Sequence, residues 1–221
     1  MTRHFQRELE KLKKRILSLG AMVEERLRMA IKAIESRDKA LADRVIEADH
    51  EIDQIEVDIE EECLKILALH QPVAIDLRFI ISVIKINNDL ERIGDLAVNI
   101  AERGAFLSTK KSLEIPFDFS EMAETTQTML KKSLDSLVNM DSQLAREVGA
   151  SDDEVDAINR DMYVQVQDSI RKYPNRLESL LHMLSTSRHL ERIADLATNI
   201  AEDVVYMIEG EIVRHKAARY Q

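Results

Sequence analysis

The sequence has few of the residues that break helices or cross-link chains. Its 221 residues include five Gly, three Pro, one Cys and no Trp, and aromatic residues make up only 4%. So few turn-forming residues, with so few aromatics, favour long helices over strands. Cys63 has no partner for an intrachain disulfide, which fits a reducing compartment. We therefore expect an all-α protein that folds without cross-links.

The sequence also lacks long apolar runs and an excess of basic residues. Without an apolar run long enough to cross a bilayer, and with a highly charged N-terminal region, we expect a cytosolic protein with no direct membrane insertion. The net charge of −10 disfavours binding to nucleic acid or anionic lipid. An acidic chain of this kind favours cations or basic partners.

One stretch occurs twice, about a hundred residues apart. Residues 87–103 read NNDLERIGDLAVNIAER, and residues 187–203 read SRHLERIADLATNIAED. Apolar residues recur in both copies at the three-four spacing of one buried helix face. These residues are Leu90, Ile93, Ala97 and Ile100, and then Leu190, Ile193, Ala197 and Ile200. The chain is therefore predicted to be a duplicated unit.

Each copy of the motif also carries acids in the same register. At about 100° per residue, Glu91, Asp95 and Glu102 lie on the side of the helix opposite the apolar face. The second copy repeats them as Glu191, Asp195 and Glu202, and Asn99 recurs as Asn199. Because the flanking residues differ much more than the motifs do, the retained acids indicate a binding role. Exposed acids often serve only to solvate a helix, and the sequence leaves that interpretation open.

The apolar periodicity predicts six helices in two similar three-helix bundles. The predicted helices cover residues 3–36, 38–71, 72–107, 120–148, 151–173 and 174–209. Asp38 is the predicted N-cap of the second helix, and Pro72 and Pro174 open the third and sixth. Met140 is placed on the inward face of the fourth, which Gly149 ends.

The predicted fifth helix begins with a capping box formed by Ser151 and Glu154. Between the two bundles, residues 104–119 break the helical periodicity with Gly, Ser, Thr, Lys and Pro. We therefore expect a first bundle over residues 1–107, a linker over 108–118 and a second bundle over 119–221.

A second pair of acids lies on the helix that precedes each motif. Asp49 and Asp53 each follow a core position by one residue, and Asp152 and Asp156 correspond to them in the second half. Four carboxylates could thus converge in each half. Clustered carboxylates repel one another, and a bound cation with oxygen ligands relieves that repulsion. This donor set favours hard ions such as iron(III), manganese or magnesium, and it excludes a closed thiolate zinc site.

The histidines indicate no further site, because their spacing does not recur between the halves. They include His50, His70, His182, His189 and His215. Glu47 with His50 does match the Glu-x-x-His pairs of four-helix di-iron proteins, so a ferritin-like di-iron oxidase or metal-storage protein is the alternative. Asp153 stands where the second half would need that His. With no phosphate loop and no nucleophile motif, we do not expect an enzyme.

The motif helices resemble those of the PhoU family of phosphate-signalling regulators. The resemblance rests on residues 90–102 (LERIGDLAVNIAE) and 190–215 (LERIADLATNIAEDVVYMIEGEIVRH). It implies two three-helix bundles with Glu/Asp-x-x-x-Asp motifs, which hold metal clusters in some members of the family. Iron is the metal expected foremost, with zinc, manganese or magnesium as alternatives. The implied metal ligands are Asp49, Asp53, Glu91, Asp95, Asp152, Asp156, Glu191 and Asp195, with Asn99, Glu102, Asn199 and Glu202 as further candidates.

The resemblance also implies a role in regulation. The expected function is negative regulation of phosphate uptake and of the phosphate-starvation response. The expected partners are a sensor histidine kinase and the ATPase of an ABC-type phosphate transporter, which would recruit the protein to the inner face of the membrane. We further expect a homodimer. Family members often carry His where this chain has Leu96 and Leu196, so no nitrogen ligand is expected there.

Overall fold

The computed structural model describes residues 3–110 and 120–213, and all the regular structure in that part of the chain is helical. The helices are α1 (Arg3–Ser36), α2 (Lys39–Glu47), α3 (His50–His70), α4 (Ala74–Ser108), α5 (Ser120–Asn139), α6 (Ser142–Val148), α7 (Asp152–Lys172) and α8 (Leu177–Glu209). The prediction of an all-α protein with two similar halves is confirmed. Two of the six predicted helices, however, are broken into shorter ones.

In the first half, the second predicted helix is divided into α2 and α3. Asp38 caps α2 as predicted, since its carboxylate accepts a hydrogen bond from the backbone N–H of Leu41 at 3.1 Å. The helix then breaks at Ala48 and Asp49, a break the apolar periodicity did not indicate. Arg26 of α1 stabilises this break by donating hydrogen bonds to the Ala48 carbonyl oxygen at 3.2 Å and to the Glu51 carboxylate at 2.6 Å.

In the second half, the predicted fourth helix ends nine residues early, at Asn139 rather than Val148. The chain turns at Met140, whose φ is 52° and whose side chain is exposed, not inward. The carboxylate of Asp141 then caps α6, accepting hydrogen bonds from the N–H groups of Gln143 and Leu144, both at 3.0 Å. Asp141 is therefore the counterpart of Asp38, and α6 ends at Val148 as predicted, with Gly149 at its C-cap position.

The structure also corrects the predicted capping box. A 3₁₀ turn over Gly149–Ser151 joins α6 directly to α7. Ser151 is in a helical conformation and its side chain makes no capping hydrogen bond. The N–H of Asp152 instead donates to the Gly149 carbonyl, so backbone groups replace the predicted cap. Pro174 opens a 3₁₀ turn ahead of α8, whereas Pro72 lies before α4 rather than in its first turn.

Gly104 begins the stretch in which the apolar periodicity breaks, but it lies inside α4, which continues to Ser108, close to the predicted end at 107. It is buried where α1 crosses α4, opposite Ile34. Residues 111–119, the larger part of the predicted linker, lie outside the described residues. The predicted boundaries at 107 and 119 therefore stay predictions.

Helices α4 and α8 form the centre of the protein. Their contact joins the two halves, and the other helices pack around it. Buried residues from both halves make one continuous apolar cluster, while Met162, Val166 and Leu180 form a smaller one between α7 and α8. Within residues 3–110 and 120–213, no helix combines the length and the apolar character that crossing a membrane would require.

We expect the Asp141→Ala substitution to lower the free energy of unfolding by about 1 kcal/mol, because two N–H groups of α6 lose their acceptor. The measurement is urea unfolding followed by far-UV circular dichroism. Asp141→Asn is the control, since Asn caps helices about as well as Asp. Equal losses in the two variants would show that the carboxylate does not act as a cap.

Candidate metal centres

The two repeated motifs lie side by side because α4 and α8 pack in opposite directions. Two contacts fix this arrangement. Lys85 Nζ lies 3.1 Å from Asp203 Oδ1, and the rings of Phe106 and His182 stack with centroids 3.8 Å apart. The crossing point therefore falls between Asp95 and Asp195. A depression of about 430 Å³ lies there, lined by Arg92, Asp95, Leu96 and Asn99 and by Arg192, Asp195, Leu196 and Asn199.

Corresponding residues of the two motifs are buried to the same degree, which confirms that the repeat extends to three dimensions. Glu91 and Glu191 are half-buried, and Asp95 and Asp195 are exposed. The apolar faces of both motif helices are buried as predicted. The acids therefore lie on the accessible side of each helix, available to a ligand.

In the first half, close packing of α3 on α4 brings carboxylates together. Ile52 lies over Gly94, where an added Cβ atom would come within 3.2 Å of its Cδ1 atom. This approach places Asp53 beside Asp95, the residue after Gly94. Asp49, Asp53 and Asp95 each offer a carboxylate oxygen, and these three oxygens lie within 4.8 Å of one another. We call these three residues the first acidic cluster.

The break between α2 and α3 leaves Asp49 available to this cluster. Asp49 occupies the N-cap position of α3, but its side chain makes no capping hydrogen bond. Burial raises the pKa of the Asp49 carboxyl, and the nearby Asp53 and Asp95 raise it further. Burial also raises the pKa of Asp95, with Asp53 as the second cause. Arg26 and His50 offset the shift of Asp49 only in part, since its pKa stays raised, and a bound cation would supply further positive charge.

Glu91 and Glu56 extend the first acidic cluster along the groove between α3 and α4. Burial raises the pKa of Glu91, and Asp95, Glu56 and Asp53 add to the effect. The pKa of Glu56 is raised by burial and then by Glu60 and Asp53. Glu56 was not among the predicted site residues, although it shares the register of Asp49 and Asp53, one residue after a core position. That register was the signal that could have identified it.

In the second half, Asp152, Asp156, Glu191 and Asp195 interact in the same way, and we call them the second acidic cluster. The pKa of Asp152 is raised to about 6 by burial and then by the charges of Asp195, Asp156 and Asp153. Burial and neighbouring carboxylates also raise the pKa values of Glu191 and Asp195. Asp156 additionally pairs with Arg160 at 3.4 Å. Among the described residues, only the first half brings three of the predicted carboxylates within 4.8 Å of one another.

A sequence model described as the PhoU domain matches residues 16–104 and, a second time, residues 119–204. The chain belongs to the PhoU family. A phosphate-specific transport system accessory protein PhoU homolog from Aquifex aeolicus is 38% identical over 210 residues, which cover 95% of each chain. A homolog of the same description from Pseudomonas aeruginosa is 37% identical over 218 residues, covering 97% of this chain and 89% of the relative.

Solved structures of PhoU proteins show the same fold. The crystal structure of PhoU from Pseudomonas aeruginosa superposes with a TM-score of 0.89 at 37% identity, covering 94% of this chain and 100% of that one. The phosphate transport system regulatory protein PhoU from Streptococcus pneumoniae superposes with a TM-score of 0.84 at 32% identity, covering 95% of this chain and 99% of that one.

The two positions considered above for a nitrogen ligand are apolar and buried in this chain. Leu96 is 6% exposed and Leu196 is 9% exposed, and both line the depression at the crossing point. They provide no nitrogen donor. The donors that the predicted site residues can offer a metal here are therefore carboxylate and amide oxygens.

The further candidate ligands lie nearby but are placed less directly. The Asn99 side-chain amide donates a hydrogen bond to the Asp95 carbonyl at 2.8 Å, and Asn99 and Asn199 both line the depression. Glu102 is exposed and lies 3.8 Å from Arg103, whereas Glu202 is half-buried. Glu102 is seven residues beyond Asp95, about 10 Å along the helix axis. It would reach an ion at Asp95 only indirectly.

The pair required by the di-iron alternative does not face the bundle interior. Glu47 and His50 are both exposed, and His50 Nδ1 lies 3.1 Å from the Glu47 backbone carbonyl oxygen. Di-iron carboxylate proteins instead direct their Glu-x-x-His pairs inward. The geometry therefore gives this alternative no support.

Proposed function

We propose that this protein is a metal-dependent negative regulator of phosphate uptake and of the phosphate-starvation response. The observation that carries the proposal is the pair of acidic clusters, one on each side of the α4–α8 crossing, in a chain that belongs to the PhoU family. Relatives are described as accessory proteins of a phosphate-specific transport system. That description supports action on the transporter of the same kind of system.

Metal binding is the proposed task of the acidic clusters. Asp49, Asp53, Glu91 and Asp95 would hold ions in the first half, and Asp152, Asp156, Glu191 and Asp195 in the second. The oxygen donors favour iron foremost, with manganese, magnesium or zinc as alternatives. A bound ion would cancel the mutual repulsion of the carboxylates and turn an acidic surface into one that attracts phosphate or acidic side chains.

Docking is the proposed mechanism. The expected partners are a sensor histidine kinase and the ATPase of an ABC-type phosphate transporter, which would bring a cytoplasmic homodimer to the inner face of the membrane. The surface around the α4–α8 crossing suits such docking because charged residues from both halves meet there, Arg92 and Arg192 among them. Complementary charges of this kind determine partner choice and association rate. Catalysis has no part in this proposal.

The test is a deletion strain grown in phosphate-rich medium with a phosphate-starvation reporter gene. Deletion is expected to derepress the reporter, and the wild-type gene is expected to restore repression. A variant with Asp53→Asn and Asp95→Asn should fold but fail to restore it. Asp168→Asn, on an exposed acid of α7 that pairs with nearby Arg171, is the matched control and should restore repression fully.

Two outcomes would contradict the proposal. Full repression by the Asp53→Asn, Asp95→Asn variant would show that regulation does not require the first acidic cluster. Normal repression without the protein, together with rapid oxygen consumption by the purified protein and iron(II), would favour the di-iron oxidase.

A further inference from the structure

A separate group of metal-binding side chains lies where α1 begins and α3 ends. His4 Nε2 is 3.3 Å from Glu8 Oε1, and His70 Nε2 is 2.5 Å from Glu8 Oε2. One atom from each of the three side chains lies within 4.8 Å of the other two. His70 was interpreted as incidental in the sequence because the second half has no counterpart. The structure shows that its partners come from a different helix.

Two of the three donors are held in place by packing. The side chains of Glu8 and His70 are only 12% and 18% exposed. The ring of His70 contacts the buried Phe5, with centroids 4.9 Å apart. The residue after His70, Gln71, adopts a left-handed conformation and donates its N–H to the Leu67 carbonyl, which fixes the end of α3. His4 is 73% exposed and can adjust its ring without disturbing the core.

The position of His4, the third donor, follows from helix geometry. His4 and Glu8 are four residues apart, so their side chains lie on the same face of α1, one turn from each other. The ring of His4 lies 5.9 Å from that of His70, centroid to centroid. Three donors from two helices therefore converge on one point at the surface.

The geometry points to a second kind of metal site, in which His4, Glu8 and His70 bind a zinc-like divalent ion. Two imidazole nitrogens and one carboxylate oxygen form a donor set typical of zinc sites that leave one position for water. Imidazole also suits nickel, copper and cobalt, whereas the acidic clusters offer only oxygen and favour harder ions. This site would clamp the start of α1 to the end of α3.

The site is also distant from the acidic clusters. His70 is seventeen residues beyond Asp53 on the same helix, or about 26 Å along its axis. The two kinds of site can therefore be emptied independently by substitution, and this inference does not depend on the proposed regulatory function.

Cobalt(II) is the probe that separates the two kinds of site. A four-coordinate cobalt ion with imidazole ligands absorbs strongly in the visible range, whereas a six-coordinate cobalt ion bound by oxygen absorbs weakly. We expect purified, chelator-treated protein to develop strong absorption with one equivalent of Co²⁺, and Zn²⁺ to abolish it by competition. The Asp95→Asn, Asp195→Asn variant, altered only in the acidic clusters, should behave like the wild type.

His4→Ala is the decisive variant because so exposed a side chain can be removed without unfolding the protein. It should lower the Zn²⁺ affinity at least about tenfold, the least that even loss of an outer-shell partner usually costs. It should also reduce the rise in Tm that Zn²⁺ gives the wild type, and in the Asp95→Asn, Asp195→Asn background it should reduce that rise further. Unchanged affinity in His4→Ala, or loss of the cobalt signal in the Asp95→Asn, Asp195→Asn variant, would overturn the inference.

Discussion

At pH 7 and without metal, the Asp152→Asn variant is expected to be more stable than the wild-type protein by about 1 kcal/mol. Asp152 has a pKa of about 6 in the folded protein because it is half-buried and lies among other carboxylates. In the unfolded chain an Asp side chain titrates near a pKa of about 3.9. Ionising Asp152 at neutral pH therefore costs folding free energy, and the neutral amide of Asn removes that cost.

The sign of the pH dependence follows from proton binding. Between about pH 4 and pH 6 the folded protein binds more protons at Asp152 than the unfolded chain does. The stability that the protonated group contributes is therefore complete below about pH 4 and is lost as the pH rises through about 6. The gain in the free energy of unfolding from Asp152→Asn should accordingly be complete at pH 7 and vanish near pH 4. Urea unfolding of both proteins in a chelating buffer at the two pH values measures this difference.

Bound metal should make the wild type more stable than Asp152→Asn, the reverse of their order without metal. At a manganese concentration of about a hundred times Kd, binding stabilises the folded wild type by about 2.7 kcal/mol. Asp152→Asn, having lost a ligand, should bind at least about tenfold more weakly and gain correspondingly less. Asp168→Asn is the control and should follow the wild type under both conditions. If Asp152→Asn were the less stable protein in chelating buffer at pH 7, the cluster would not be electrostatically strained.

The sequence predicted the architecture because that information is repeated along the chain. The apolar spacing in both motifs identified the helices that form the centre, and all eight apolar motif positions are buried. The predicted helix boundaries were wrong where one local signal in the sequence competed with another. The predicted end of the fourth helix before Gly149 is present in α6, but the break at Met140 was missed, and its signal was Asp141, whose carboxylate caps α6.

The candidate metal centres were predictable only in part, for a physical reason. Register on one helix shows which acids share a face, so Asp95 and Asp53 could each be identified. The distance between them depends on how closely α3 approaches α4, which Ile52 and Gly94 determine. Among the described residues, three carboxylate oxygens are gathered only in the first half, and this difference likewise arises from packing. The site at His4, Glu8 and His70 has no repeat, and its donors come from segments about sixty residues apart.

The largest loss of stability from a single added side chain is expected at Gly104, where α1 crosses α4. A Cβ atom there would lie 2.9 Å from Ile34 Cγ1 and 3.4 Å from the Ile34 backbone nitrogen. A side chain could rotate away, but backbone yields only if the whole of α1 moves. The second half carries Val204 at the corresponding position, so Gly104→Val tests whether the two halves pack in the same way.

We expect Gly104→Val to lower the free energy of unfolding by about 3 kcal/mol, at the upper end of the usual cost of overpacking. The helix propensity of Val exceeds that of Gly by only a few tenths of a kcal/mol, which cannot offset that cost. The matched control is Gly149→Ala, because an added Cβ at Gly149 meets nothing within 4 Å and its φ is −61°. That change should be neutral or stabilise the protein by up to about 1 kcal/mol. Equal urea midpoints for Gly104→Val and the wild type would show that α1 can move away from α4 without cost, and that Gly104 does not determine their separation.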